Sequence, residues 1–397
     1  MRVGAGWKTA RLGDVIDLFD SQRVPLNSRE RQERQGQYPY YGAQGIIDHI
    51  DGYIFDGRFI LVAEDGENLN SKKLPVALFA TGKFWVNNHA HILQGRPGIA
   101  DDTYLLACVN NANIRPFVTG AAQPKLSQAN LCQIQIPLPP LSIQRRIASI
   151  LSAYDDLIEN SQRRIRILES MARALYREWF VKFRFPGHEN HPMVDSALGK
   201  IPEGWERATV GSISSFISRG ITPRYTEDSD SLVINQKCVR EQRLNMEPAR
   251  RQSKSIPDGK QIRYGDVLIN STGVGTLGRV AQVYEALPTC TVDTHVTIVR
   301  PETDTDIDYY GYALFSLEEH FERLGVGATG QTELGRVAIS ESELVLPPSE
   351  LQRRFGAAVR GMRIAAIVLG RQIQNLRRTR DLLLPRLLSG QIDVKEA

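Results

Sequence analysis

The chain has 397 residues, 42% hydrophobic and 24% charged: the balance of a folded globular protein, with length for two or three domains. No apolar run approaches the ~18–20 residues of a membrane span, and the start, MRVGAGWKTARLGD, lacks a signal-peptide core, so a cytoplasmic location is expected. The four cysteines, Cys108, Cys132, Cys238 and Cys290, form no CxxC pair, which argues against a disulfide framework or a zinc cluster.

The net charge of +4 is unevenly spread. Residues 1–138 carry 14 Lys and Arg against 13 Asp and Glu, and residues 139–186 carry 9 against 5. Residues 187–346 are acidic at 16 against 23, whereas residues 347–390 hold 9 against 2.

In chain order, FILVAEDG (Phe59–Gly66) and KFWVNNHAHIL (Lys83–Leu93) are predicted as strands of a mixed globular part. PPLSIQRR (Pro139–Arg146) then opens a long helical stretch: Pro-Pro suits a helix entrance but not its continuation, and Ser142 can cap the first turn. A seam runs through Ile143, Ile147, Ile150, Tyr154 and Leu157, then Ile165, Leu168, Ala172, Leu175 and Trp179. The eleven residues from Tyr154 to Ile165 predict a stutter. A second globular part follows, with strand, glycine-rich loop and strand in DVLINSTGVGTLGRVAQVY (Asp266–Tyr284), and a further strand in TVDTHVTIVR (Thr291–Arg300). PPSELQRR (Pro347–Arg354) opens the second helix, with Ser349 as its cap. Its predicted seam is Leu351, Phe355, Ala358, Met362 and Ala365, then Ile373 and Leu376, with eleven residues from Met362 to Ile373. Pro385 predicts an early end.

The two phrases lie 208 residues apart, and GWKTARLGDV (Gly6–Val15) repeats as GWERATVGSI (Gly204–Ile213) at 198. A repeat of this length means a duplicated unit. The fold expected is α+β: two globular mixed α/β domains separated by two long antiparallel helices forming a coiled-coil spacer, with a pseudo-two-fold internal repeat. Each helix packing only on its own domain is the plainer alternative. Expected boundaries are 1–138 and 187–346 for the globular domains, the latter with a linker, and 139–186 and 347–397 for the helices, the latter with a tail.

No chemistry of catalysis is evident. There is no GxxxxGK[ST] loop, since ATGKFW (Ala80–Trp85) lacks its first glycine and its Ser/Thr. TGVGTLG (Thr272–Gly278) leads into a strand rather than a helix, unlike a dinucleotide loop. No Asn/Asp-Pro-Pro-aromatic motif occurs, and PDGK (Pro257–Lys260) is not followed by Glu-x-Lys on a strand. His89 and His91 alternate along a predicted strand, where hydrogen bonding is favoured over metal ligation, and His188 and His191 fall in a linker. The pattern is that of a chain that recognises; no catalytic residue and no metal ligand is assigned.

IPLPPLSIQRRIASILSAYDDLIE (Ile136–Glu159), LVLPPSELQRR (Leu344–Arg354), LLPRLLSGQI (Leu383–Ile392) and ALGKIPEGWE (Ala197–Glu206) resemble the specificity subunits of type I restriction-modification systems. YYGAQGIIDHIDGYIFDGRFILVAEDG (Tyr40–Gly66) and AQPKLSQANL (Ala122–Leu131) are similar to one of that family's target-recognition domains. The resemblance implies a non-catalytic DNA-recognition subunit whose two domains read the halves of a bipartite, asymmetric site in double-stranded DNA. Its helices would fix the gap and dock two modification subunits, which carry S-adenosylmethionine and methylate adenine. Restriction subunits using ATP and Mg join such complexes, and this chain binds no cofactor itself. A duplicated scaffold whose domains bind proteins is the alternative.

Asn and Gln suit adenine edges, and Lys suits guanine or phosphate. The nominated DNA contacts are Tyr41, Gln44, Lys72, Lys73, Lys83, Asn88, His89, Gln123 and Lys125 in the first domain. In the second they are Arg219, Thr222, Arg224, Thr272, Gly273, Gly275, Thr276, Arg279, Gln331 and Thr332. Arg145, Arg146, Arg353 and Arg354 oppose the helix dipole and point to phosphate or to an acidic partner. With them, Ile150, Tyr154, Ile165, Leu168, Trp179, Phe355, Ile373 and Leu376 are assigned to the seam and the partner surface. The acidic second domain predicts weak DNA binding by the isolated chain, because phosphate neutralisation supplies much of the affinity.

Overall fold

A computed structural model describes residues 7–120, 122–197, 199–327 and 332–394. Two compact units divide it: residues 1–163 with 370–397, and residues 164–369. Each contains a mixed sheet domain and part of both long helices, so the α+β class and the long helices are as the repeat predicts.

In the first unit, β1 (Lys8–Arg11), β2 (Ile16–Leu18), β3 (Gln35–Gly42), β4 (Gly45–Ile50), β5 (Phe55–Ala63), β6 (Ala77–Val86), β7 (Ala90–Gly95) and β8 (Gln135–Leu138) form two sheets. Six strands run in the order β2-β7-β5-β6-β3-β4, with β3 and β6 parallel. The segment Lys83–Leu93 is therefore two strands, not one. It is broken because the Asn87 side chain accepts from the His89 amide at 2.8 Å and folds the chain back. In the second unit, four antiparallel strands run in the order Ser214–Arg219, Val296–Pro301, Val267–Asn270, Val280–Gln282. There Thr291–Arg300 divides in the same way, into Cys290–Val292 and Val296–Pro301.

The duplication is most exact where domain meets helix. β1 pairs antiparallel with β8, and Glu206–Thr209 pairs with Glu343–Leu346 in the same fashion. Each closing strand leads through two prolines into a helix, Leu141–Tyr176 or Ser349–Leu388. The predicted serine caps are not used. Ser142 and Ser349 lie inside the first turn, and the orphan carbonyl before it is satisfied by a buried glutamine instead. Gln144 donates to Pro139 O at 2.9 Å and Gln352 to Pro347 O at 2.9 Å. Gln144 also accepts from the Asp101 amide at 3.0 Å, and Gln352 from the Asp306 amide at 3.3 Å. Asp101 and Asp306 are themselves the N-caps of Asp102–Asn111 and Ile307–Ser316. One glutamine per unit thus ties the long helix to the helix of its domain.

The predicted stutter is absent. Ile158, not Leu157, is buried, and Ser161 is buried behind it, so Tyr154, Ile158, Ser161 and Ile165 step 4, 3, 4 as an unbroken heptad. Val359 takes the place assigned to Ala358, and Leu369 with half-buried Ala366 fills the supposed gap from Met362 to Ile373. The small or polar residues at Ser161 and Ala366 concealed the register. At an offset of 208 the two seams coincide from Ile147 and Phe355 onward. Ile150, Tyr154, Leu168 and Leu376 are half-buried, Ile165, Phe355 and Ile373 buried.

Within the first unit, Ile147 and Leu151 share a core with Leu387 and Leu388, while Asp155 pairs with Arg380 at 2.6 Å. The two segments there run antiparallel. Within the second, Tyr176 and Trp179 lie 5.9 Å from Phe355, and Ala172 shares a core with Val359 and Met362. Each helical segment also packs on its sheet domain, so the two packing alternatives hold together. Arg363, 2.6 Å from the buried Asp308, pins the second helix to its domain. Pro385 does not end that helix: it lies in the last turn, where the Ser389 amide still reaches Pro385 O at 3.0 Å.

Candidate nucleic-acid interface

In each unit a strand end, a tight turn and a loop are stitched together by equivalent backbone hydrogen bonds. In the first, Glu64 N donates to His89 O at 2.9 Å, and Leu126 N to Glu64 O at 2.7 Å. In the second, Ser271 N donates to His295 O at 2.8 Å, and Leu334 N to Ser271 O at 2.8 Å. Thr119 and Lys125 exchange bonds of 2.8 and 2.7 Å, as Val326 and Glu333 do at 3.0 and 2.9 Å. The turns match too. His89 N bonds Asn87 Oδ1 at 2.8 Å, and His295 N bonds Asp293 Oδ1 at 2.9 Å.

On this shared frame the side chains differ. In the first unit His89 Nδ1 lies 2.6 Å from Asp65 Oδ2, and Glu64 pairs with Arg23 at 2.7 Å and Lys125 at 3.2 Å. Beneath them His91 is buried, with its ring nitrogens 2.6 Å from Asp20 Oδ2 and 2.7 Å from Leu126 O. Burial raises the Asp20 carboxyl, but the bonds from His91 and the Ile92 amide, with the charges of His91 and Arg23, hold it below its ordinary value. Burial likewise raises Glu64, yet Arg23, His91 and Lys125 bring it down. In the second unit Thr272 Oγ1 lies 2.7 Å from His295 Nδ1, and Arg219 bonds Leu334 O at 2.9 Å and pairs with Glu333 at 2.5 Å. A cavity of about 330 Å³ beside it is lined by Ser218, Arg219, Lys260, Glu333, Gly335 and Arg336.

Of the first-domain nominations, the structure brings His89 and Lys125 into this cluster. Exposed Asn88 lies in the turn, Gln123 in the loop, and Gln44 beside Gly66. The Tyr41 ring packs against Phe84 in the core, and its carbonyl accepts from the Asn87 amide at 3.0 Å. Lys72 donates to Ala112 O and Lys83 lies 4.6 Å over the Tyr53 ring, so neither joins the cluster's hydrogen bonds, nor does exposed Lys73. In the second domain Thr272, Gly273, Gly275 and Thr276 form the glycine loop, with Arg279 closing its base through Asn270. Gly273 and Gly275 have φ of 107° and 68°, conformations that side chains resist. Thr332 packs beside Gly325, and Gln331 lies outside the described residues.

Thr222 and Arg224 belong to a neighbouring basic edge. Their carbonyls accept from Lys254 Nζ at 3.1 Å and the Ser253 amide at 2.8 Å, and the Arg250 guanidinium lies 3.5 Å over the exposed Tyr225 ring. The acidity of the second domain is therefore segregated. Residues 219–263 hold ten Lys and Arg against six Asp and Glu, leaving six against seventeen for the rest of 187–346. Regional totals concealed this edge. His295 was also missed, although its Asx-x-His turn repeats that of His89 at an offset of 206.

Arg145, Arg146 and Arg354 are exposed and make no side-chain hydrogen bond or ion pair among the described residues, while Arg353 pairs with Glu350 at 2.8 Å. Among the described residues no group of His, Cys, Asp or Glu could hold a metal, and no helix is long and apolar enough to cross a membrane.

The family model of the type I restriction modification DNA specificity domain matches residues 5–170. Over those residues the chain is similar to type I specificity subunits. A Haemophilus influenzae protein assigned as a type I restriction enzyme specificity subunit is 40% identical over 38% of this chain. The MjaIX specificity subunit of Methanocaldococcus jannaschii is 28% identical over 70% of it. These alignments span 37% and 65% of the relatives' own lengths. The crystal structure of a type I S subunit from M. genitalium shares the fold, with a TM-score of 0.64, 16% identity and 96% coverage of each chain.

Proposed function

We propose that this chain is a type I specificity subunit that reads double-stranded DNA through its two loop clusters, each taking one half of a bipartite, asymmetric site. The observation that carries the reading is the duplicated frame: the same backbone bonds hold the same three segments twice, with different side chains upon it. That is the arrangement expected of two readers with two sequences, because backbone contacts position and side chains specify. A protein-binding scaffold has less need of a basic edge with an Arg-stacked tyrosine beside the loops.

The helices fix the unread gap and, with the exposed Arg145, Arg146 and Arg354, dock two modification subunits. Those partners bring S-adenosylmethionine and methylate adenine, and restriction subunits bring ATP and Mg. The recognition domains span residues 1–138 and 187–346, and the helices with their tail the remainder. The subunit acts in the cytoplasm and is not itself an enzyme. The test is binding to randomised duplexes by the complex of this chain with its modification subunit. Selection of a two-part sequence is expected, and sequence-indifferent binding would refute the reading.

A further inference from the structure

We propose that His89 and His295 are equivalent base-edge contacts, and that the residue behind each ring, Asp65 or Thr272, sets which hydrogen-bonding character its outer nitrogen presents. This rests on the reading of the loop clusters as DNA contacts and names the residues that specify.

The two rings occupy one place in the frame. Each lies two residues after an Asx side chain that accepts from its amide, and the carbonyl of each accepts from the amide of the residue just after the central strand. Each uses Nδ1 on the following residue of that strand end, at 2.6 Å in one unit and 2.7 Å in the other. Half-exposed and held at one nitrogen, His89 keeps Nε2 without a hydrogen bond among the described residues. His91, two residues on, is the contrast: buried, with both nitrogens committed, it supports the fold.

The partners behind the rings are chemically unlike. A carboxylate only accepts, so a His89 ring with a single proton carries it on Nδ1 toward Asp65 and turns an Nε2 lone pair outward. Its match on DNA is an exocyclic amino group, of adenine N6 or cytosine N4. A hydroxyl can also donate. Thr272 Oγ1–H can point at His295 Nδ1, at 2.7 Å much nearer than its other acceptor Gln236 Oε1 at 3.5 Å, which leaves Nε2–H as an outward donor matched to guanine O6 or N7 or thymine O4. The same fold position then reads opposite hydrogen-bonding edges in the two half-sites.

The experiment uses the complex with the modification subunit at pH 8, where an ordinary imidazole is neutral, and selects bound duplexes from a randomised pool. His89→Ala should lower discrimination at one position of one half-site about tenfold, with the other half unchanged. His295→Ala should do the same to the other half. Asp65→Thr and Thr272→Asp should change the preferred base at those same positions rather than erase it, since the frame bonds are made by the backbones of the preceding residues, Glu64 and Ser271, and not by the side chains at 65 and 272. Thermal unfolding of each variant within a few degrees of the parent establishes folding, and the reciprocal pair decides the matter should an alanine variant fail to fold. Uniform weakening over all sequences would assign the rings to phosphate and overturn the proposal, as would an unchanged motif. Loss of sequence selection by the unaltered complex would instead overturn the reading of the clusters as DNA contacts.

Discussion

Replacing Gln144 by alanine removes three hydrogen bonds at once: from the Asp101 amide at 3.0 Å, and to the carbonyls of Ile99 at 3.0 Å and Pro139 at 2.9 Å. Gln352 makes two of the three, accepting from the Asp306 amide and donating to Pro347 O. Each bond contributes about 1 kcal/mol net, and an orphaned buried group costs about 1–3 kcal/mol. The Gln144 change should therefore cost about 3 kcal/mol or more in the first unit, and Gln352→Ala about 2 kcal/mol in the second. Gln144→Leu should be no better, because the volume is kept and the partners are still stranded. Native-state hydrogen exchange at the Asp101 and Asp306 amides reads each site locally, without requiring the two units to unfold together. Loss of protection should appear at Asp101 in one variant and at Asp306 in the other. A change below about 0.5 kcal/mol at both would refute the view that this glutamine, rather than the serine or the arginines, is the functional core of the repeated phrase.

The heptad register is open to a paired test. Ile158→Ala should destabilise by about 2–4 kcal/mol, whereas Leu157→Ala, at a side chain 54% exposed, should cost under about 0.5 kcal/mol by urea denaturation. A depressed carboxyl stabilises the fold above its unfolded value, near 3.9 for Asp, and that stability is lost as pH falls through the folded value. Acid titration of the near-ultraviolet signal should thus show an unfolding limb below about pH 4 that Asp20→Asn weakens, and an unaltered limb would exclude Asp20 as its origin. At the basic edge, Arg224→Ala with Arg250→Ala should weaken binding to every duplex alike and lower the salt slope by about 0.9 per lost phosphate contact; a changed base preference would contradict that role.

The duplication, the fold class and the helix-entry phrases were legible because prolines and long-range repetition leave marks in composition. The seam was legible only in part: Ser161 and Ala366 occupy core positions without looking apolar, and Leu157 looks apolar at an exposed one. The loop clusters were half legible. His89, Lys125 and the glycine loop stood out as residue types, but Glu64, Arg23 and His295 matter through contacts the chain order does not show. Tyr41 was nominated with Gln44 as a polar residue of YYGAQG, and the packing of its ring against Phe84 is not marked in the chain order. The acidity of residues 187–346 is uneven, and only the fold shows that Arg224, Arg250 and Lys254 lie along one edge.

The central claim is that one chain reads two separated sequences. Its most direct test is to map adenine methylation across a genome when this chain and its modification subunit are produced together. The account predicts methylation at a two-part asymmetric motif with a fixed unread gap, one part of which changes when residues 1–138 are exchanged for another member's domain. An ungapped motif, or a change in both parts on that exchange, would contradict it.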